Sequence, residues 1–225
     1  MYIYMKKLCL FGSKKEKNHE NFSKTDNQNM KKMTFKLKIL FLCMLSLLLF
    51  SCVTSRVSEG CSRELLGNGS KNPEQLVNFF MNHKPDADRE KVGRLAKLYV
   101  EEGAIEGINS DVAFVQMCLE TGFLSYGNLV LPEMNNFCGL GAMDAEHPGE
   151  WFESEQIGVR AHIQHLQAYA TTAEVSLKQE LVDPRYSWPH KAKFARNVHE
   201  LAGHWAMDPD YGVKLDNLLS ELSGF

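Results

Sequence analysis

The chain has 225 residues, of which 44% are hydrophobic and 24% charged, with sixteen glycines and seven prolines. These proportions fit one globular domain plus a tail, and they exclude collagen-like, largely disordered and polytopic membrane proteins. Residues 1–51 carry ten Lys and Arg against three Asp and Glu, whereas residues 52–225 carry fifteen against twenty-five, a net charge of −10. Because such a body repels phosphate backbones, we expect no binding of nucleic acid.

The N-terminal segment has the pattern of a signal peptide. Basic residues after Met30 precede an apolar run from Ile39 to Phe50 that only Ser46 interrupts. At about 1.5 Å per residue this run covers roughly 18 Å, which is less than the bilayer core of about 30 Å, so we expect no spanning anchor. Residues 1–51 are therefore interpreted as an upstream extension, residues 1–29, followed by the signal peptide.

The sequence Leu49-Phe50-Ser51-Cys52 follows the apolar run directly and resembles the lipobox of bacterial lipoproteins. The resemblance implies that the Cys52 thiol is diacylated and that the mature protein is anchored by this lipid to a membrane of the bacterial cell envelope. An ordinary signal peptide with an incidental cysteine is the alternative. Residues 52–72, rich in Ser, Gly and Asn, are predicted to be the lipidated cysteine and a flexible tether.

Helical patterns cover most of the remaining chain, which is predicted to fold as one domain over residues 73–225. Asn72-Pro73 places a cap before a proline at the first helical position, Asp88 opens a second helix, and Asn109 precedes a third that is almost entirely apolar. Further helical patterns run over residues 156–169, about 194–201 and 211–222. The domain is thus predicted to be mostly α-helical.

The stretch from Phe137 to Phe152 interrupts the helical patterns. It is rich in glycine, and His147-Pro148-Gly149 is typical of a turn. We therefore expect a short β-hairpin here, which makes the fold class α+β with a small β element in the middle of the chain.

Three cysteines, Cys61, Cys118 and Cys138, belong to the part of the chain after Cys52. Their spacing offers no metal site and at most one disulfide. Cys118 and Cys138 are predicted to be small buried groups. A thiol within an apolar run is a poor nucleophile, and the sequence has no Gly-x-Ser-x-Gly motif, so catalysis by a Cys or Ser nucleophile is set aside.

Glu120 is the strongest candidate for acid–base chemistry. It ends the apolar third helix and is followed directly by Thr-Gly-Phe. Apolar packing disfavours the charged form of a carboxyl group and raises its pKa, which is what the general acid of a glycosidase requires. Taken alone, a solvated glutamate at a helix end is the alternative.

Two motifs place Glu120 in a recognisable context. Glu120-Thr-Gly-Phe-Leu-Ser-Tyr-Gly and, further on, Asn135-Asn136-Phe-Cys-Gly-Leu-Gly-Ala142 resemble the signature of bacterial peptidoglycan glucosaminidases, glycoside hydrolase family 73. Residues 158–170, 182–186 and 201–211 resemble later segments of that family in the same order. The resemblance implies a lysozyme-like fold with a small β-hairpin lobe beside the substrate groove.

The same resemblance implies a reaction. Glu120 would protonate the oxygen that leaves from the β-1,4 bond between N-acetylglucosamine and N-acetylmuramic acid, without metal or cofactor. Family members are thought to use a second carboxylate from the β-lobe; here Glu146 is favoured and Glu150 comes next, although Asp144, Glu153 and Glu155 lie in the same stretch. Attack by the substrate's own acetamido oxygen is the alternative, and it needs no second carboxylate.

Five residues are candidate substrate contacts. Asn135 and Asn136 offer amides to the sugars, with a local role of Asn136 in shaping the turn as the alternative. Phe123 and Phe137 offer apolar faces, and His162 lies near the position where many relatives carry a tyrosine. The spacing of His162 and His165 is weak evidence for a metal site, so none is predicted.

Two rival functions remain open. A lytic transglycosylase of similar fold would cleave on the other side of the disaccharide and leave an anhydro-muramic end, and a catalytically silent lipoprotein would only bind the wall. In each case we expect a monomer whose partners are peptidoglycan strands and, through its lipid, a membrane. Trp205 is expected to pack in the core rather than against sugars.

Overall fold

The structure is a computed structural model that describes residues 60–127, 129–172, 175–191 and 194–225. The predicted signal peptide, Cys52 and the first part of the predicted tether lie outside the described residues. No helix in the described ranges is both long enough and apolar enough to cross a membrane.

Five α-helices dominate the described part of the chain: α1 (Pro73–His83), α2 (Arg89–Glu106), α3 (Ser110–Thr121), α4 (Glu155–Ala170) and α5 (Tyr211–Leu222). Three short 3-10 helices cover Pro132–Met134, Pro189–Lys191 and Val198–Leu201. The helices predicted over 156–169 and 211–222 are therefore confirmed. The helix predicted over 194–201 is reduced to one 3-10 turn.

The predicted caps fix where the first three helices begin. Asn72 accepts a hydrogen bond from the Gln75 backbone N–H at 3.0 Å, and the Gln75 side chain accepts one from the Asn72 N–H at 3.0 Å. Asp88 and Asn109 likewise accept from backbone N–H groups in the first turns of α2 and α3. Each cap satisfies amide donors that a helix start leaves unpaired.

Helix α3 lies at the centre of the core and packs against α1, α2, α4 and α5. Its residues from Ser110 to Cys118 are all buried, as the apolar sequence predicts. The helix ends at Gly122, whose φ of 57° is left-handed and therefore suits glycine. Glu120 thus sits where the buried core helix reaches the edge of the core.

Residues 60–72 belong to the folded domain, which corrects the predicted start at residue 73. Cys61 and Leu65 are buried in the core, with exposures of 1% and 0%. The Leu65 N–H donates to the Arg196 carbonyl at 2.8 Å, and the Leu65 carbonyl accepts from the Asn109 N–H at 2.9 Å. Two apolar side chains and these backbone bonds hold a segment whose Ser- and Gly-rich composition suggested a tether.

The predicted β-hairpin over 137–152 is not formed. The described residues contain no strand, and this segment has one isolated antiparallel bridge, between Asp144 and His147. Asp144 accepts hydrogen bonds from the backbone N–H groups of Glu146 and His147, so the turn lies at 144–147 and not at 147–149. The physical reason is local, because Gly139 and Gly141 have φ of 69° and 76°, which lie outside the β region and turn the chain twice within three residues.

Candidate active site

A cleft of about 270 Å³ opens at the C-terminal end of α3. Its walls come from three parts of the chain: Glu120, Thr121, Tyr126, Leu129 and Val130; then Asn136, Cys138, Gly139 and Ala142; and Trp205 with Ala206. Glu120 is the one Asp or Glu among the described residues that line it. The part of the cleft that the structure describes therefore offers a single carboxyl group to a ligand.

The two oxygens of Glu120 have different surroundings. Oε1 accepts a hydrogen bond from the Trp205 indole N–H at 3.0 Å and a second, very short one from the Tyr211 hydroxyl. Oε2 accepts none from the described residues and lies 3.9 Å from the point where a Cβ would stand on Gly139, one of the cleft residues. Because both donors act on Oε1, the proton of the neutral acid resides on Oε2.

The pKa of Glu120 is raised above its ordinary value because burial disfavours the carboxylate. The hydrogen bonds from Tyr211 and Trp205 act in the opposite direction but do not cancel the effect of burial. Glu120 therefore keeps its proton at pH values where an exposed glutamate has already lost it. This agrees with the prediction from its place at the end of an apolar helix.

A buried chain of polar side chains lies behind Glu120. The Tyr211 hydroxyl accepts from Gln116 Nε2 at 2.8 Å, Gln116 Oε1 lies 3.0 Å from His162 Nε2, and His162 Nδ1 lies 2.9 Å from the Tyr99 hydroxyl. Since Gln116 presents its oxygen to His162, the imidazole carries its proton on Nε2 and accepts from Tyr99 through Nδ1. Because Gln116 donates to the Tyr211 oxygen, this row of side chains holds Tyr211 with its own O–H directed to Glu120.

The predicted substrate contact at His162 is therefore wrong. His162 has no exposed surface, and burial lowers its pKa to about 3, so the ring is neutral at physiological pH. His165, one turn further along α4, pairs instead with buried Asp183 at 2.7 Å. Because the two imidazoles have separate partners, they do not form a common ligand set.

The side chains of Asn135 and Asn136 hydrogen-bond to backbone groups. Asn136 is fully buried at the base of the cleft, donates to the carbonyls of Leu140 at 2.9 Å and Glu150 at 3.1 Å, and accepts from the Leu140 N–H at 2.9 Å. Asn135 donates to the Phe152 carbonyl at 3.0 Å. The alternative interpretation of Asn136, as a residue that shapes the loop, thus agrees with the structure, because both polar atoms of its amide bond to the loop backbone. Asn135 does not line the cleft.

Phe123 and Phe137 do not form faces of the cleft. The Phe123 ring stacks on His83 with a centroid distance of 4.4 Å and packs edge-on to Phe80 at 5.3 Å, both on α1. Phe137 is completely buried in the core. Their apolar rings therefore stabilise the walls from behind, which corrects their predicted role as substrate contacts.

The predicted second carboxylates lie outside the cleft. Glu146 is exposed on the 144–147 turn, and Glu150 is half-buried with Oε1 only 2.9 Å from the point where a Cβ would stand on Gly141. Of the other candidates, Asp144 caps its own turn and Glu155 pairs with Arg94 at 2.9 Å. The described residues thus place no second carboxylate beside Glu120.

Sequence reasoning missed the two residues that hold Glu120. Trp205 was expected in the core, and its ring does pack beside His165 and Tyr169 with centroid distances of 5.2 and 5.4 Å, but its N–H reaches the acid. Tyr211 begins α5 and ends the 201–211 segment that resembles the family, but neither pattern predicts its contact with Glu120. Their aromatic bodies with polar tips were a signal, but they lie 85 and 91 residues from Glu120.

All three described cysteines are buried and free, as predicted for Cys118 and Cys138. Burial raises the pKa of both thiols well above the ordinary value, so they stay protonated. Cys138 nevertheless lines the cleft, where it contributes a small apolar surface beside Glu120.

A half-buried acid at the end of a core helix, in a mostly helical body with very little β-structure, is consistent with a lysozyme-like glucosaminidase domain. The family model described as glucosaminidase, mannosyl-glycoprotein endo-β-N-acetylglucosaminidase, matches residues 96–224, and the chain belongs to this family. The resemblance seen in the motifs is thereby confirmed. Membership implies a glycan substrate and supports a peptidoglycan hydrolase in general.

The comparison with individual proteins adds a relative whose name states no function. An uncharacterized protein of Borreliella burgdorferi is 39% identical over 158 residues, which are 70% of this chain and 76% of that protein. No solved structure gives a significant match.

Proposed function

We propose that the chain is an endo-β-N-acetylglucosaminidase that cleaves the β-1,4 bond between N-acetylglucosamine and N-acetylmuramic acid, with Glu120 as the general acid. The carrying observation is the geometry of that carboxyl group, which is held through Oε1 and open to the cleft at Oε2. Its raised pKa supports a protonated ground state. In the reaction, Oε2 gives its proton to the departing O4 oxygen as the C1–O4 bond breaks.

The lone carboxylate of the cleft favours assistance by the substrate. The acetamido oxygen of N-acetylglucosamine attacks C1 from the opposite face while O4 leaves, which closes a five-membered oxazoline-type ring on the sugar. The Glu120 carboxylate then removes a proton from the water that attacks C1 and opens this five-membered ring. Two displacements at C1 retain the β configuration. Glu146 and Glu150 have no part in this route, in accordance with their places outside the cleft.

The test is digestion of purified peptidoglycan, followed by reduction and mass spectrometry of the released fragments. Reduced N-acetylglucosamine at the new ends, absent with Glu120→Gln, is the expected result. Anhydro-muramic ends, lighter by one water, would move the protein to the lytic transglycosylases. Wall binding without any release by the unmodified protein would favour the silent binder.

The stereochemical prediction needs a separate measurement. Proton NMR of the first product formed should show the β anomer before mutarotation. Glu146→Gln and Glu150→Gln should each keep kcat within about twofold of the unmodified enzyme, since neither side chain reaches the cleft. An α product, or loss of turnover in either variant, would restore the two-carboxylate mechanism.

We also propose that Cys52 is lipidated and that the domain acts as a monomer tethered to a membrane of the cell envelope. The support is the lipobox-like sequence after the apolar run. Cells fed a radiolabelled fatty acid should label the protein, and Cys52→Ala should abolish the label and release the protein from the membrane fraction. A membrane-bound, unlabelled Cys52→Ala protein would refute the anchor.

A further inference from the structure

A second depression, of about 200 Å³, adjoins the Glu120 cleft. The two share Cys138, Gly139, Ala142 and Trp205 as lining residues, so they meet along the loop that faces the acid. Of the Asp, Glu, Lys and Arg side chains described, the first depression is lined by Glu120 alone and the second by Arg185 alone. A ligand lying across both therefore meets an acid at one place and a permanent cation at another.

Arg185 stands on a segment that is fixed from behind. Its backbone N–H donates to Asp183 Oδ1 at 2.8 Å, and the other carboxylate oxygen of Asp183 pairs with His165 at 2.7 Å. The backbone N–H groups of Val182 and Asp183 both donate to Gln164 Oε1 on α4, at 2.8 and 3.1 Å. The rigid base presents the arginine to the depression in a defined place.

Arg185 has no ion-pair partner among the described residues. Within the described ranges no carboxylate lies within ion-pair distance of its guanidinium group, although six other Arg and Lys residues form such pairs. Among the described arginines, Arg185 is the one that is half-buried and has no carboxylate partner, in a body whose residues 52–225 carry a net charge of −10. A guanidinium group pairs best with a carboxylate, through two parallel hydrogen bonds.

We infer that the depression around Arg185 binds a carboxylate of the glycan, and therefore the muramic half of the repeating disaccharide. The inference rests on the proposed function, since it specifies how that substrate lies. N-acetylglucosamine has no carboxylate, whereas N-acetylmuramic acid carries a lactyl carboxyl group that is either free or extended by a stem peptide with carboxylates of its own. Arg185 then marks the side of the leaving group.

This assignment gives the groove a direction. The sugar that keeps C1 of the broken bond occupies the Glu120 cleft, where Leu129 and Val130 add apolar surface, and the departing sugar lies toward Arg185. Trp188, with 43% of its surface exposed, lines the departing side and offers a ring to the sugar or to the peptide. The protein is thus specific for a substrate that is neutral on one side of the bond and acidic on the other.

The test measures binding without cleavage, in the full chain carrying Glu120→Gln. Three ligands are compared by calorimetry: a chitin tetrasaccharide without carboxylates, a peptide-free peptidoglycan tetrasaccharide with lactyl carboxylates, and the same glycan with its stem peptides. Arg185→Gln should reduce the preference for the acidic ligands over the chitin tetrasaccharide about tenfold, and Arg185→Lys should restore part of it. The two acidic ligands show whether the lactyl group or the peptide supplies the carboxylate.

A matched control removes another guanidinium group. Arg89→Gln takes away one exposed Arg from the first turn of α2, which lines neither depression, and should leave the preference unchanged. Equal weakening of all three ligands, no weakening, or no initial preference for the acidic ligands would overturn the role of Arg185. The proposed function is judged separately by the sugar at the new reducing end, so either can fail alone.

Discussion

The end of α3 and the loop over residues 135–152 both place polar side chains around the cleft, but they differ in what those side chains bind. Glu120 is held on one oxygen by two side chains and keeps the other open. Asn136, at the base of the same cleft, has its amide committed to four backbone groups of its own loop. A polar residue of a motif can act on a ligand only with atoms that the fold leaves over.

Replacing the acid should have the largest effect on activity. Glu120→Gln keeps an oxygen that accepts from Trp205 and Tyr211 but cannot give up a proton, so kcat should fall by about a thousandfold, as measured by release of reducing ends.

The same substitution should raise the stability of the fold at neutral and alkaline pH. Because the pKa of Glu120 is raised in the folded state, ionisation costs stability as pH rises through that value.

Thermal unfolding at several pH values checks this second effect. The variant should unfold at a higher temperature than the unmodified protein above neutral pH, and the difference should disappear below the pKa of an unfolded glutamate. A difference that grows toward acid pH would contradict the raised pKa.

Asn136→Ala should mainly affect folding. The change leaves the Glu150 carbonyl and the Leu140 N–H without their partner in a buried place, while the Leu140 carbonyl keeps the hydrogen bond from the Glu150 N–H; the cost is about 3 kcal/mol in the free energy of unfolding. Urea denaturation measures it. A variant of full stability but lost affinity for glycan would show that Asn136 serves the substrate after all.

Tyr211→Phe should shift the pH dependence of activity. It removes a hydrogen bond that lowers the pKa of Glu120, so that pKa rises further and the alkaline limb of kcat/KM moves to higher pH. The environment of the acid also includes the Trp205 N–H and the protonated Cys138 thiol, which the change leaves in place. An alkaline limb at unchanged or lower pH would assign it to another group.

Tyr126→Phe should have the smallest effect of these changes, and the effect should be on the free energy of unfolding. Tyr126 lines the cleft, yet its hydroxyl is buried and lacks a hydrogen-bond partner among the described residues. Removal of this oxygen should raise the free energy of unfolding by up to about 1 kcal/mol. Destabilisation would mean that the hydroxyl has a partner, such as a bound water.

Local signals carried much of the fold. Asn72-Pro73, Asp88 and Asn109 mark helix starts because each supplies a cap within three residues of the backbone groups it satisfies. The start of the domain was misplaced because Cys61 and Leu65 are too few to give a periodic pattern. The loop over 137–152 was mistaken for a hairpin because turn residues do not reveal that Gly139 and Gly141 have positive φ.

The candidate site was predictable only in part. Glu120 could be found from its apolar helix and its motif, because both are contiguous in sequence. Trp205 and Tyr211 could not be assigned to it, since the contact depends on how α5 and the preceding turn pack against α3. His162 looked like a groove residue because its polarity is visible in the sequence and its complete burial is not.

The hydrogen bonds from Tyr99 through His162, Gln116 and Tyr211 all donate toward Glu120. Moving a proton along them would leave a phenolate at Tyr99, whose pKa burial holds well above the ordinary value. This row of hydrogen-bonded side chains therefore supports Glu120 but does not deliver protons to it. In the proposed reaction Glu120 therefore regains its proton at Oε2, from the water that completes the hydrolysis, so each turnover restores the acid without help from the buried side chains behind it.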